Sequence, residues 1–494
     1  MKNKLYYIIC TTVLALASVS CNRHLDTIPD STLDINIDTE DKVAELLTAA
    51  YPKASYFAFL EPRTDNVAER QGGMHFRLND AMYHWRDYEQ EDLDTPLNYW
   101  LSCYQGIAQA NHALEHLKKL PKNNRTKALY GEAFLIRAYL HFMLVNIWSK
   151  HYNSATADSD LGIPYITKPE TEALKNYSRG TVADVYKKIE EDLLLGFSLV
   201  DDAYYKIPKY HFNKEAAYAF ATRFYLYKGD WDKVIEYSNW LLSGDSSLRL
   251  RDWMGHYRTF IFNGQNLGTY YASVEEQSNL LIVSNRSRMY RNYSREKYGL
   301  NNNLVKVLFG TGYTRETRDA TWGYYYSGGE FKIQHKFSEY EKFGNTGLNP
   351  TDVFVAGSLF SMDEVLLNRA EALAMKGRDN EAVFDIQNFM KKKTFMKYTF
   401  EEFVDAFPNA KTTYTPAYEL SDRQARLVQF IAELRRKEFV HEGMRWFDIR
   451  RFDLVVDRNT TGSQHDDNKI LKKGDKRKLI QIPSQAISLG LEAN

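Results

Sequence analysis

The sequence predicts an all-α protein: a superhelix of stacked helical hairpins, interrupted by two long irregular insertions. Three observations carry this. Apolar residues recur at three- and four-residue spacing over most of the chain. A helix–Gly–helix pattern occurs twice in one register. Two stretches, about 60–96 and 245–350, lack helical period and are rich in Gly, Asn, Ser, Tyr and Arg.

In chain order, MKNKLYYIICTTVLALASVSC opens the sequence. Lys2 and Lys4 precede an apolar run from Leu5 to Val19 that is short for a membrane span, so residues 1–20 read as a secretory signal. Cys21 after Ser18-Val19-Ser20 is placed as a bacterial lipidation cysteine, although Ser18 stands where such sites usually carry Leu. Residues 21–42 read as a polar tether entering a first helix, and 43–494 as one domain. With Cys10 removed and Cys21 acylated, only Cys103 keeps a thiol, so no intramolecular disulfide is expected and a large core must hold the fold.

Trp100, Tyr104, Ile107, Asn111, Leu114 and Leu117 mark a helix over 97–119. GEAFLIRAYLHFMLVNIW (131–148) is apolar on nearly every face, which predicts a central helix. Thr181 and Asp184 form a capping-box pattern ahead of the stripe Val182, Val185, Tyr186, Ile189, Leu193 and Phe197. Residues 224–242 and 372–390 then align without gaps, Gly229 on Gly377, Val234 on Ala382 and Leu241 on Phe389. Each reads as a helical hairpin resembling a tetratricopeptide repeat, which buries its apolar face only by stacking. Ser421 and Gln424 cap a further helix with the stripe Leu427, Val428, Ile431 and Leu434.

That helix leads into RRKEFVHEGMRWFDIRRFD (435–453). A zinc-protease motif needs a second His at 445, which is Arg, so the stretch reads instead as a structural lock. Gly443 terminates the helix, Trp446 and Phe447 drop onto the core, and Arg435, Arg436 and Arg445 pair with Glu438, Glu442 and Asp448.

Several of these motifs, in this order, resemble those of the SusD/RagB-like outer-membrane lipoproteins of Bacteroidetes: CNRHLDTIPD, WLSCYQGIAQANHAL, GEAFLIRAYLHFMLVNIW, LGIPYIT with SRGTVADVYKKIEEDL, MDEVLLNRAEALAMKG, and the 435–453 stretch. The resemblance implies a helical, lipid-anchored, surface-exposed protein that captures oligosaccharide, or in some members peptide, for a SusC-like TonB-dependent transporter. It implies a binding protein and not an enzyme.

Charge balances at 64 basic and 64 acidic residues, and loss of residues 1–20 removes two lysines and no acids, so no electrostatic case for nucleic acid arises. No cofactor motif is present, and His residues lack ligand spacing, so neither cofactor nor metal is expected. Sugars need flat rings for their C–H faces and polar side chains for their hydroxyl edges. The insertions offer Trp85, Tyr83, Asp65, Asn66 and Arg86 in the first, and Trp322 and Tyr324 in the second. An all-helical glycoside hydrolase and a bare repeat scaffold are the competing classes, though no carboxylate pair stands out for the former.

Overall fold

The computed structural model describes residues 37–494 apart from 171–175, 245–248, 261–262, 310–328, 344–349, 395–396 and 460–463. The signal, Cys21 and most of the tether lie outside the described residues. A first helix, α1 (Glu40–Thr48), begins inside the stretch read as tether, because Thr39 caps it.

Two long helices follow. Thr95 caps α2 (Pro96–Leu117), with Pro96 at its first position where the missing N–H costs nothing. Asn123 and Thr126 form a capping box on α3 (Asn124–Trp148). Residues 131–148 of α3 are almost wholly buried, as their all-round apolarity requires. Length and composition would let α3 cross a membrane; instead it is the core helix. The Thr181–Asp184 capping box opens α4 (Val182–Leu199), which packs along α3.

The echoed hairpins are α5 (Lys214–Lys228) with α6 (Trp231–Leu241), and α7 (Met362–Met375) with α8 (Asp379–Lys391). Gly229 and Gly377 both turn the chain with positive φ, 80° and 68°. α7 packs on both α5 and α6, so the hairpins stack. Val234 and Ala382 are fully buried at equivalent depths. Arg223 on α5 crosses this interface to grip Glu364 on α7 (2.7 and 2.5 Å).

Residues 245–350 depart from the expected irregular chain. Strands β1 (Asn279–Arg286), β2 (Ser338–Phe343) and β3 (Pro350–Ser361) form an antiparallel sheet in the order β1-β3-β2, with β3 running directly into α7. The fold remains predominantly helical, and the sheet braces the second excursion against the hairpins. A β-strand's signal is short alternation, here split between two separated stretches.

The 435–453 stretch is the predicted lock with different partners. α9 (Asp422–Glu438) carries its capping box and buried stripe but ends at Phe439, so Gly443, at φ 68°, is not its terminator and instead leads into α10 (Met444–Arg451), which buries Trp446 and Phe447. Arg435 meets Asp448 at 3.4 Å, but Glu438 pairs with Lys393 and Glu442 with Lys336, each at 3.1 Å. Arg451 forks onto Glu371 (2.6 and 3.0 Å). Arg436 and Arg445 turn toward the first excursion, while Arg450 donates to the carbonyls of Asn146 and Ser149 at the end of α3.

Candidate functional site: the seam between the two excursions

The structure sews the two excursions into one surface. Ala68 and Glu69 pair antiparallel with Gly299 and Tyr298, and Met74 bridges to Glu296. Arg70 lies buried beneath, donating to the carbonyls of Tyr293, Glu296, Leu300 and Lys332. A Cβ on Gly299 would sit 2.2 Å from the Arg70 guanidinium carbon, so this approach requires glycine. Asn79 completes the stitch, donating to the Tyr298 carbonyl (2.9 Å) and to Glu296 Oε2 (3.1 Å).

A ring stack stands beside the seam. Tyr83 and Tyr298 lie parallel at 3.9 Å. The Arg458 guanidinium sits between Tyr83 (3.7 Å) and Trp85 (4.2 Å). Trp85 donates its indole N–H to the Arg63 carbonyl at 2.9 Å. Trp85 also holds φ at 55°, a left-handed conformation unusual for a bulky side chain that the stack sustains.

Below this, three residues of the first excursion enter the lock. Asp65 takes a two-pronged grip from Arg445 (2.9 and 2.9 Å), and its backbone carbonyl accepts from Arg436. Asn66 accepts from Arg436 Nε at 2.8 Å. Glu61 accepts the His441 and Gly443 N–H groups at 2.8 and 2.9 Å. Burial would raise the Asp65 carboxyl, but Arg436 and Arg445 outweigh it and hold it well below the usual carboxylate range.

These placements correct four expectations. Trp85 is 3 % exposed and Tyr83 8 %, so neither offers an open face; their faces are spent on Arg458 and Tyr298. Asn66 is fully buried and Asp65 is ion-paired, so both serve the lock and not a ligand's edge. Arg86 is exposed, paired to Asp80 at the seam's rim. Trp322 and Tyr324 lie outside the described residues. Gly329, the first described residue after them, accepts from Asn302 through its carbonyl at 3.2 Å.

Sequence reasoning missed Arg70, Tyr298 and Arg458. Their partners lie hundreds of residues away, and no local spacing marks an arginine destined for carbonyls or ring faces. Among the described residues no cluster of three or more His, Cys, Asp or Glu is arranged to hold a metal.

Comparison with known proteins agrees over both halves of the chain. Residues 23–226 match the family model "SusD-like_3: Starch-binding associating with outer membrane", and residues 255–488 match "SusD_RagB: SusD family". No curated protein matches. Among solved structures, a SusD superfamily protein from Bacteroides thetaiotaomicron is similar at TM-score 0.66 and 19 % identity, over 92 % of this chain and 99 % of that one. A putative sugar binding protein from Bacteroides vulgatus reaches TM-score 0.69 at 18 % identity, over 93 % and 98 %. A SusD-like carbohydrate binding protein from Bacteroides vulgatus follows at 0.65 and 17 %, over 91 % and 96 %. Motif order, helical frame and these matches converge: the chain is a member of the SusD family.

Proposed function

We propose that this protein captures an oligosaccharide at the cell surface, anchored to the outer membrane through lipidated Cys21, and passes it to a TonB-dependent transporter without chemically altering it. Family membership across both halves of the chain carries this reading, and one of the matched models is described as starch-binding and associating with the outer membrane. The seam supports it physically. A cargo site must be rigid to avoid losing affinity to ordering, and here two excursions are fixed to each other and to the frame by buried arginines.

Trp322 and Tyr324 are the proposed sugar platforms, with Arg86 at the rim as an edge donor. Trp85 and Tyr83 support the surface from beneath. Two or three ring contacts of about 0.5–1.5 kcal/mol each, with some hydrogen bonds, correspond to a dissociation constant of roughly micromolar to millimolar, weak enough for release. Calorimetry on Trp322→Ala and Tyr324→Ala tests the platforms. Each substitution should weaken oligosaccharide binding about tenfold, the loss of roughly one ring contact, with the denaturation midpoint unchanged. Undiminished binding in both variants would remove these residues from the site.

A further inference from the structure

Glu296 occupies an unusual position. It is buried at the middle of the seam, where its backbone bridges to Met74 and its carboxyl accepts from Asn79. The guanidinium closest in role, Arg70, directs its donors to main-chain carbonyls, including that of Glu296 itself. Among the described residues no cation ion-pairs with the Glu296 carboxyl. A second buried carboxyl, Asp94, lies within electrostatic reach; its Oδ2 accepts the Arg288 N–H at 2.8 Å, with the Ser287 hydroxyl and the Arg288 charge beside it. Tyr293 faces the same interior, while the neighbouring Lys297 turns outward to Glu69 (3.1 Å) and His75 (3.4 Å). Arg70 thus faces Glu296 and Glu330, Arg288 faces Asp94, and no guanidinium closes a salt bridge on the Glu296 carboxyl.

We propose that the seam is a proton-responsive latch: Glu296 carries a proton while the two excursions are sewn together, and loss of that proton loosens them. Burial raises its carboxyl to about 8, with Arg70 opposing and Asp94 reinforcing the shift. When the seam opens, Glu296 meets water and returns to the ordinary glutamate range near 4.5. The closed seam therefore holds a proton that the open seam releases. Opening becomes easier as pH rises between those two values and levels off above the upper one. The latch goes beyond cargo capture and stands whatever the cargo proves to be.

Hydrogen exchange on the full mature protein tests it. The amides of Arg70, Met74 and Lys297 bond across the seam, and their protection reports its opening. After correction for the intrinsic pH dependence of exchange, protection at these three amides should fall by about tenfold per pH unit between roughly 5 and 8, while amides of α3, which open only with the whole fold, keep higher protection at every pH. Glu296→Gln, which mimics the protonated group, should remove the slope. A flat wild-type profile at the seam overturns the proposal even if the variant does not fold, and a slope that persists in Glu296→Gln overturns it equally.

Discussion

Arg445 holds Asp65 through two parallel hydrogen bonds of 2.9 Å each, joining positions 380 residues apart in the chain. Arg445 is buried, and its other acid, Glu433 at 3.1 Å, is shared with Arg436, so removing the Asp65 charge leaves two guanidinium groups on one carboxylate. Asp65→Asn should destabilise the protein by about 3 kcal/mol, as for other broken buried pairs. Urea denaturation measures this directly. The depressed Asp65 carboxyl stabilises the fold at all pH values above its unfolded range near 4, and that contribution fades only as pH falls below it.

Trp85 is predicted to act through stability. Trp85→Ala removes a buried ring from between Arg458 and Arg477 and leaves the Arg63 carbonyl without its donor. A loss of about 3–5 kcal/mol follows for a buried aromatic, read as a lowered denaturation midpoint. An unchanged midpoint with lost cargo binding would instead restore Trp85 to the role of platform.

The turn glycines make a paired prediction. Gly229→Ala and Gly377→Ala each force a side chain into left-handed backbone, although open space surrounds the Gly377 position and only the Trp231 ring edge approaches Gly229. Each should cost about 1–2 kcal/mol from backbone strain alone, and the two costs should add, since they sit in separate turns. Thermal melts of the single and double variants check both statements.

Buried acids set a pH trend for the whole fold. Burial raises Glu61 and Glu438 to about 7, partly opposed by the His441 and Gly443 N–H groups and by Lys393 respectively. Both native carboxyls hold protons more tightly than the unfolded chain, so stability should fall as pH rises from about 4.5 to 7. Glu438→Gln should flatten that decline by on the order of 3 kcal/mol across the window. Urea midpoints at several pH values between 5 and 8 measure it.

The frame was legible in the sequence wherever a helix buried one face or ended on a specific residue. Thr181, Ser421, Gly229 and Gly377 each behave as their local chemistry requires. The lock was legible as a lock, because its arginines and acids crowd one stretch, but its partner Asp65 was not, since an ion pair spanning 380 residues leaves no periodic trace. The same limit misled the reading of Trp85. A tryptophan in a Gly-rich loop looks exposed until Arg458, far along the chain, is laid across it. Strand β3 escaped notice because its pairing partners lie on either side of a long gap.

A calorimetric titration of the purified mature protein against matched panels of oligosaccharides and peptides tests cargo capture. Saturable binding to at least one oligosaccharide is expected, at roughly micromolar to millimolar affinity, with the sugar recovered uncleaved. Binding confined to peptides, or release of shorter sugars from the bound oligosaccharide, would contradict it.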